Sequence, residues 1–299
     1  MSDSKTMGVV GGDGRQVALA ECLVSDGFAV YACGFDSVRF ANGVKKAALE
    51  EVAERCGTVI LPLPVTDDGK TLKMDYGNEK ITLDDRFATL MCGKRVFGGM
   101  MERLYRTSKI WREIETDDYY TQEEFAVRNA VPTAEGALDI AMREYPATIS
   151  GSRCLVAGFG RVGKVLARML QGIGAKVSVS ARRADDLAWI AACGYTPVLT
   201  AQIGKEGTFD LIFNTIPALI FTRRVLSALA GRPLIIDLAS KPGGVDFAAA
   251  EKIGVRAILA PSLPGRVAPR TAGEIIRDTV CHMIGGGSRY GTENFRGRD

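Results

Sequence analysis

A run of glycines follows an apolar stretch in the middle of the chain, and its spacing could bind a phosphate. The segment Cys154-Leu155-Val156-Ala157-Gly158-Phe159-Gly160-Arg161-Val162-Gly163 contains G-x-G-x-x-G between a predicted strand and a predicted helix. Such glycines allow a tight turn, close approach of a pyrophosphate and close packing of helix on strand. The N–H groups at the helix start would bind the phosphates. The predicted cofactor-binding residues of this turn are Gly158, Phe159, Gly160, Arg161, Val162 and Gly163.

The residues after the second predicted strand of this half indicate which dinucleotide is bound. Proteins that prefer NAD usually carry Asp or Glu about twenty residues past the glycines, against the adenosine ribose. This chain has Ser180-Ala181-Arg182-Arg183 there. A hydroxyl and two guanidinium groups suit a 2′-phosphate, so Ser180, Arg182 and Arg183 favour NADP, with NAD still possible. Two solvated arginines at a helix start would give the same pattern without binding a ligand.

Polar residues also follow two later strands of this half. Asn214-Thr215-Ile216-Pro217 follows one strand, and Leu238-Ala239-Ser240-Lys241-Pro242 follows the next. Ligands of open α/β sheets bind at the carboxyl ends of strands, which predicts nicotinamide contacts from Asn214, Thr215, Ile216, Pro217 and Ser240. Lys241 is the candidate catalytic residue, because a lysine beside a cofactor can bind an anion or act as an acid or base. The alternative is an ordinary loop lysine.

A second glycine turn lies near the start of the chain, without the dinucleotide spacing. Gly11-Gly12-Asp13-Gly14-Arg15-Gln16 joins a predicted strand to a predicted helix. A helix start beside a cation suits an anionic group, so Gly12, Asp13, Gly14 and Arg15 are predicted to bind substrate. Thr133, as the predicted cap of a helix, and Arg266, in a predicted extended segment over 261–269, complete the predicted substrate-binding set.

Strands alternate with helices in both halves of the 299-residue chain. This alternation predicts two doubly wound α/β lobes with parallel sheets, the second of them a Rossmann dinucleotide-binding domain. We predict a substrate-side domain over 1–132, a connecting helix over 133–148 and a dinucleotide-binding domain over 149–270. The predicted strands are 7–10, 28–33, 58–63 and 95–97 in the first domain, and 153–157, 176–180, 195–199, 209–216, 233–239 and 255–260 in the second.

The remaining segments are predicted to be structural. Helices are expected over 44–55, 122–128 and 134–145, and a last helix over 271–284, with Thr271 and Glu274 at capping-box spacing, should pack back on the first domain. The polar segment 67–80 is predicted to be an exposed turn or hairpin insertion without a chemical role. Asp117 and Asp118 fit a capping loop, and His282 fits a structural site better than a catalytic one. Residues 285–299 are predicted to form a flexible tail.

Composition excludes several classes of function. The formal net charge is only +3, and the sequence has no dense Lys/Arg run, which argues against binding to nucleic acid or a membrane surface. The polar start lacks the apolar core of a signal peptide, and no apolar run could span a bilayer, so we expect a cytoplasmic protein. The seven cysteines are scattered without a C-x-x-C pair, so we expect reduced thiols and no metal site.

Several segments taken together resemble the family of dipicolinate synthase A subunits. They are Gly11-Gly12-Asp13-Gly14-Arg15-Gln16, Pro132-Thr133-Ala134-Glu135-Gly136-Ala137, Gly158-Phe159-Gly160-Arg161-Val162-Gly163, Ile236-Asp237-Leu238-Ala239-Ser240-Lys241-Pro242-Gly243-Gly244 and Leu263-Pro264-Gly265-Arg266-Val267-Ala268-Pro269-Arg270-Thr271-Ala272-Gly273. The resemblance extends over nearly the whole chain, except for the glycine-rich tail.

This resemblance implies two lobes similar to those of 2-hydroxyacid and amino-acid dehydrogenases. It also implies NAD(P)-linked oxidation, with loss of water, of 4-hydroxy-tetrahydrodipicolinate, the cyclic product of dihydrodipicolinate synthase. The product is dipicolinate, made in the mother-cell cytoplasm of endospore-forming bacteria. The implied partner is a B subunit similar to flavin-binding decarboxylase-like proteins, and we expect association with further copies of this chain as well.

Our mechanistic hypothesis places a dicarboxylate substrate in a cleft between the lobes. Its two anionic ends need two cationic or helix-start sites, and the candidates are the residues already assigned to substrate together with Lys241. The ring would face the nicotinamide near Pro217 and Ser240. Two alternatives stay open: another NADP-dependent dehydrogenase or reductase of a small oxo, hydroxy or imino acid, or a cofactor-binding regulatory or assembly subunit of a flavoprotein.

Overall fold

Six parallel strands form one sheet in the first half of the chain. The computed structural model describes residues 5–205 and 207–285, and in these residues the sheet has the order β3-β2-β1-β4-β5-β6. The strands are β1 (Thr6–Val10), β2 (Ala29–Cys33), β3 (Lys45–Lys46), β4 (Thr58–Ile60), β5 (Arg95–Gly98) and β6 (Glu115–Asp118). The central strand β1 is a continuous apolar run because helices cover both faces of the sheet. Val9 packs in the core on one face and Val10 in the core on the other.

Short helices connect these strands, and one long helix follows them. The α-helices are α1 (Gly14–Ser25), α2 (Leu49–Arg55), α3 (Asp85–Leu90) and α4 (Glu123–Glu144), and 3-10 helices cover Met101–Arg106, Lys109–Glu113 and Tyr119–Thr121. The predicted helix over 44–55 is wrong in its first part, because Lys45 and Lys46 pair with β2 instead. The predicted capping loop at Asp117 and Asp118 is confirmed only for the cap: both residues belong to β6, but the Asp118 side chain caps the 3-10 helix that follows and accepts from the Tyr120 N–H at 2.9 Å.

α4 is one continuous helix where the sequence predicted two. Pro132 lies inside it and lacks the N–H that would bond one turn back. The Thr133 Oγ1 donates to the Asn129 carbonyl at 2.7 Å, and Ala134 and Ala137 are buried on the same helix. Packing therefore holds the helix together across the proline. The prediction of a helix start capped by Thr133 is wrong.

The second sheet repeats the arrangement of the first. Its strands are all parallel in the order β12-β11-β10-β7-β8-β9, which matches the strand order of dinucleotide-binding folds. They are β7 (Arg153–Ala157), β8 (Lys176–Ala181), β9 (Thr196–Leu199), β10 (Leu211–Asn214), β11 (Leu234–Asp237) and β12 (Ala257–Leu259). The prediction of two doubly wound parallel lobes is confirmed.

The helices of this second half are α5 (Arg161–Gly172), α6 (Ala184–Ala192), α7 (Arg223–Ala228), α8 (Phe247–Ile253) and α9 (Leu263–Val267), with a 3-10 helix over Thr200–Gln202. The prediction of an extended segment over 261–269 is wrong, because most of it forms α9. Leu263 of α9 is buried, and a Cβ on Gly136 of α4 would lie 2.9 Å from its Cβ. This contact stabilises a helix despite the neighbouring prolines.

The last helix, α10 (Pro269–Ile284), belongs to the first half of the chain in space. The described residues of 1–126 and 269–299 form one unit, the first lobe, and those of 127–268 form the other, the second lobe. α10 begins at Pro269, so the predicted capping box at Thr271 is wrong. A Cβ on Gly273 would lie 2.5 Å from the Arg15 carbonyl, because α10 crosses α1 at very short distance. Except for Gly285, the predicted tail lies outside the described residues.

Candidate functional site

The glycine turn of the second lobe joins β7 to α5 and is shaped by two close approaches. Gly158 has φ +104, which favours glycine, and its N–H donates to the Ser180 carbonyl at 3.1 Å. A Cβ on Gly163 would lie 2.1 Å from the Gly158 carbonyl oxygen. The helix thus packs directly on the turn, as the G-x-G-x-x-G spacing predicts.

Gly160 leaves the start of α5 open. It is the N-cap residue of the helix and has no side chain to accept from the first-turn N–H groups. A Cβ on Gly160 would meet no atom within 4 Å, so there is space above the helix start. Lys164, which follows the glycine motif directly, places its Nζ 5.1 Å from the centre of the Phe159 ring and adds a cation that the sequence analysis missed. These groups fit the phosphates of a dinucleotide.

Ser180, Arg182 and Arg183 differ in what they offer a 2′-phosphate. The Ser180 side chain has no exposed surface, and its Oγ accepts from the Thr200 hydroxyl at 3.4 Å. The hydroxyl is therefore not presented at the surface where we predicted it. The Arg183 Nε donates to Asp185 at 2.9 Å, and Asp186 lies nearby. Arg182 is exposed and forms no ion pair within the described residues, so it is the freer of the two cations.

The loops after β10 and β11 carry the residues predicted to face the nicotinamide. Pro217, Ser240 and Lys241 are exposed at these strand ends. The Thr215 Oγ1 donates to the Ala157 carbonyl at 2.8 Å, next to the glycine turn. Asn214 is fully buried, so its side chain is not presented to a ligand as we predicted.

The glycine turn of the first lobe is closed by its own side chains. Asp13 is the N-cap residue of α1 and accepts from the Arg15 N–H at 3.0 Å, while the Asp13 N–H donates to the Gln16 Oε1 at 3.2 Å. The Gly12 N–H donates to the Lys73 carbonyl at 2.8 Å. Three of the four amides predicted to bind a substrate anion, those of Gly12, Asp13 and Arg15, are therefore hydrogen-bonded within the lobe.

Arg15 is buried and forms an ion pair with the partly buried Asp13. The Arg15 Nε lies 2.9 Å from Asp13 Oδ1 and its Nη2 lies 2.7 Å from Oδ2, and Nη2 also donates to the Leu63 carbonyl. Only 6% of Arg15 is exposed. Burial raises the pKa of Asp13, but the hydrogen bonds and charge of Arg15, with the charge of Lys73, outweigh it and hold that pKa below its ordinary value. Arg15 thus neutralises Asp13 instead of presenting a free guanidinium.

Lys73 is the residue of this region that sequence reasoning missed. The segment 67–80 was predicted to be an exposed turn or hairpin insertion without a chemical role. An antiparallel bridge between Thr71 and Thr82 fits the hairpin, but the segment also pairs with the glycine turn through a bridge between Gly12 and Met74. The Lys73 side chain is 19% exposed, and its Nζ lies 3.9 Å from Asp67. The sequence shows only a lysine in a polar loop. The Lys73 side chain comes near Asp13 through contacts between segments that are distant in sequence.

The other predicted substrate residues lie in helices of the second lobe. Thr133 is inside α4, where its hydroxyl is bonded to the Asn129 carbonyl, so it offers no helix start. Arg266 is exposed on α9. In the first lobe, the His282 Nδ1 lies 2.9 Å from the Glu124 Oε2, which fits the predicted structural role.

Residues 5–205 and 207–285 contain neither a metal-binding cluster nor a membrane-spanning helix. No group of three or more His, Cys, Asp or Glu side chains there could hold a metal ion. No helix among them is long and apolar enough to cross a membrane.

The fold and the open glycine turn together define the class of protein: a two-lobed α/β protein with two doubly wound parallel sheets and a Rossmann glycine turn. Solved structures of low sequence identity share this fold. The transhydrogenase of Sinorhizobium meliloti is 16% identical, with a TM-score of 0.66 and coverage of 94% of both chains. An L-alanine dehydrogenase is 14% identical, with a TM-score of 0.60 over 93% of this chain and 88% of that one.

Closer relatives identify the family. The sequence model for the N-terminal domain of the dipicolinate synthase A subunit matches residues 6–109. The A subunit of dipicolinate synthase from Bacillus subtilis is 33% identical over 280 residues, which cover 92% of this chain and 94% of the relative. The crystal structure of the corresponding A subunit from Bacillus halodurans is 34% identical, with a TM-score of 0.86 over 95% of this chain and 99% of that one. The chain belongs to the family of dipicolinate synthase A subunits, which confirms the resemblance found in the sequence.

Proposed function

We propose that this chain oxidises 4-hydroxy-tetrahydrodipicolinate to dipicolinate with NADP as the hydride acceptor. The observation that carries the proposal is the open, glycine-capped start of α5 in a member of the family of dipicolinate synthase A subunits. The substrate loses one water, one hydride and one proton, and its ring becomes aromatic. A nicotinamide dinucleotide, when bound, supplies the acceptor for the hydride. The chain's own task is then to orient the ring and bind its carboxylates.

The choice of NADP over NAD rests on Arg182. An exposed guanidinium after β8 can donate two hydrogen bonds to a phosphate, whereas ribose hydroxyls are usually bound there by a carboxylate. Arg183 is held by Asp185, so its contribution to a 2′-phosphate is smaller.

A lysine and an arginine of the second lobe are the proposed ligands of the substrate carboxylates. Lys241 and Arg266 are both exposed cations. Arg15 acts indirectly, by neutralising Asp13 and holding the glycine turn of the first lobe. Lys241 is also the proposed acid that gives a proton to the departing hydroxyl.

The curated relative from Bacillus subtilis is one of the named subunits of its enzyme, which supports a partner of a different kind. We propose that this partner is a flavoprotein-like B subunit and that the protein works in the cytoplasm.

Reconstitution tests the proposal. The purified chain is mixed with NADP and the product of dihydrodipicolinate synthase, and both reduced nicotinamide and dipicolinate are measured, with and without the B subunit. Formation of both products by this chain alone supports the proposal. Activity that needs the B subunit, or no activity in either case, contradicts the assignment of catalysis to this chain.

A matched pair of lysine variants locates the chemistry. Lys241→Ala should lower kcat about 100-fold, because a general acid contributes at least that much. Lys252→Ala, which removes an exposed lysine of α8 in the same lobe, should leave kcat unchanged. Equal kinetics of the Lys241 and Lys252 variants would show that Lys241 has no catalytic role.

A further inference from the structure

Asp237 is a fully buried carboxylate at the end of β11, outside the set of residues so far given a role. Its side chain has no exposed surface. Its hydrogen-bond donors in the described residues are neutral: the Asn214 Nδ2 at 2.8 Å, the Ala239 N–H at 3.2 Å and the Gly244 N–H at 3.0 Å. A buried carboxylate without a cation is expensive unless such donors satisfy it. A group of this kind needs an explanation.

Asn214 extends the same network to the next loop. Its Nδ2 donates to the Ile216 carbonyl at 3.1 Å, and its Oδ1 accepts from the Ile216 N–H at 3.2 Å. Asn214 is also fully buried. Asp237 and Asn214 therefore connect the loop after β10 with both ends of the loop over 238–244.

The backbone of Gly244 lies directly against the Asn214 side chain. A Cβ on Gly244 would lie 2.1 Å from the Asn214 Nδ2. The Gly244 carbonyl in turn accepts from the Ile220 and Phe221 N–H groups at 3.1 and 2.9 Å. The network thus fixes the ends of two loops, and the exposed residues Pro217, Ser240 and Lys241 lie between those fixed points.

We propose that Asp237 is a positioning residue for the nicotinamide-side reaction, acting through Asn214 and Gly244 to hold Ser240 and Lys241 in place. This inference rests on the proposed function. A carboxylate suits the position because all three of its neighbours donate. An asparagine would bring its own NH₂ group against one of those donors. Thr215 and Ile216 lie against Gly158, but the hydrogen bonds of Asp237 and Asn214 go to Ile216 and to the 238–244 loop and not to the turn at 158–163. Turnover should therefore change more than cofactor affinity.

Asp237→Asn is the first test. We expect kcat for substrate oxidation to fall about 100-fold, because a small misplacement of a reacting group can lower the rate by that factor. The Kd for NADPH, measured by fluorescence without substrate, should change less than about threefold. Amide hydrogen exchange of 238–244 should become about tenfold faster or more. Unchanged kcat or unchanged exchange would overturn the inference. So would a loss of NADPH affinity equal to the loss of kcat.

Two further variants keep the test decisive. Asn214→Ser replaces Asp237→Asn as the test if that variant does not fold. It removes one donor to Asp237 but leaves the two backbone donors, and we expect kcat to fall about tenfold. Asp246→Ala is the control, because Asp246 is a carboxylate of the same lobe that only caps α8, accepting from the Ala249 N–H at 2.9 Å. It should lower stability without changing kcat. A fall of kcat in the control equal to that in Asn214→Ser would assign both effects to stability and overturn the inference.

The hydrogen-exchange measurement separates two possible failures. If the wild-type chain oxidises no substrate, the proposed function fails, while exchange in the variants still tests whether Asp237 holds the 238–244 loop. If the wild-type chain is active and exchange in 238–244 is the same in the Asp237→Asn variant, the proposed function stands and the positioning role fails.

Discussion

The two lobes have the same strand order and a glycine turn at the same place, yet their helix starts differ. In each turn the first glycine bonds to the end of the neighbouring strand: the Gly11 N–H to the Cys33 carbonyl at 2.9 Å, and the Gly158 N–H to the Ser180 carbonyl at 3.1 Å. Two residues later stands the N-cap, which is Asp13 in the first lobe and Gly160 in the second.

The N-cap residue decides what each helix start can bind. Asp13 accepts from the first-turn N–H of Arg15 and places a carboxylate where a phosphate would otherwise lie. Gly160 adds neither an acceptor nor a charge. The Gly12 N–H in the first lobe is also taken by the Lys73 carbonyl. Both lobes have the doubly wound topology, so the topology does not decide whether a helix start can bind a phosphate. The residue at the N-cap decides it.

The two lobes also differ at the position of the third glycine of the motif. Gly163 lets α5 approach the Gly158 carbonyl, whereas the first lobe has Gln16 at the matching place. Gln16 is fully buried, and a Cβ on Gly12 would lie 2.5 Å from its Oε1. The first-lobe turn is thus filled by its own residues. Variants can test whether one turn is structural and the other ligand-binding.

Arg15→Ala should have the largest effect. It leaves the partly buried Asp13 without its cation; breaking a fully buried ion pair costs about 3–5 kcal/mol, and we expect a loss near the lower end of that range. Urea denaturation measures the loss in free energy of unfolding. The double variant Asp13→Asn/Arg15→Met should recover part of it, since neither charge then remains buried alone. A loss below about 1 kcal/mol for Arg15→Ala would indicate an exposed pair and contradict the closed first-lobe turn.

Gly160→Asp transfers the first-lobe cap to the second lobe. Space for the side chain exists, so the fold should persist, but the carboxylate would occupy the phosphate position. We expect the Kd for NADPH to rise about 100-fold, or about 2.7 kcal/mol. Gly160→Asn has the same shape without the charge and should weaken binding less. Equal Kd values for the two variants would mean that charge at the N-cap does not separate the lobes.

Gly163→Ala tests the close approach of helix to turn. Its Cβ would meet the Gly158 carbonyl at 2.1 Å, and because backbone moves less readily than a side chain, we expect a loss of about 2 kcal/mol in the free energy of unfolding. Gly172→Ala, in the same helix with no atom within 4 Å, should instead gain about 0.5–1 kcal/mol. Similar urea midpoints for the two variants would contradict this interpretation of the glycine spacing.

The second lobe was more predictable from the sequence than the first. β7 and β8 closely match the predicted strands at 153–157 and 176–180, because strands covered on both faces are continuous apolar runs. β6 (Glu115–Asp118) has no such run. It is an edge strand of polar and acidic residues, held by pairing with β5 and by the contact of Arg95 with Asp117.

Contacts between distant segments explain the errors at the candidate site. Local rules end a helix before Pro132, but α4 continues because its buried alanines pack on both sides of the proline. Ser180 has the right place for a phosphate contact, yet Thr200 covers its hydroxyl. Lys73 lies in a polar loop whose register against Gly12 no local pattern encodes. Residue type and spacing thus located the open turn, while side-chain exposure depended on tertiary packing.

Arg182→Ala should raise the Kd for NADPH about tenfold and leave the Kd for NADH nearly unchanged, because the proposed contact of Arg182 is to the 2′-phosphate alone. Arg183→Ala is the matched variant, and its effect should be smaller since Asp185 already holds that side chain. Fluorescence titration with NADPH and NADH measures both preferences. A larger effect for Arg183 would reverse the assignment, and equal affinity of the wild type for both cofactors would remove the basis for NADP.

The smallest expected effect is the pH dependence of the first-lobe turn. Burial raises the pKa of Asp13, but Arg15 and Lys73 outweigh it, so the folded-state pKa lies below the unfolded value of about 3.9. The stability contributed by ionised Asp13 is therefore complete above that value and is lost as the pH falls through the folded-state pKa. Urea denaturation between about pH 5 and pH 3 should show a steeper decline for the wild type than for Asp13→Asn, since other carboxylates contribute equally to both. Parallel declines would mean that the Asp13 carboxylate is not held by Arg15, and the contrast between a closed and an open turn would lose its electrostatic basis.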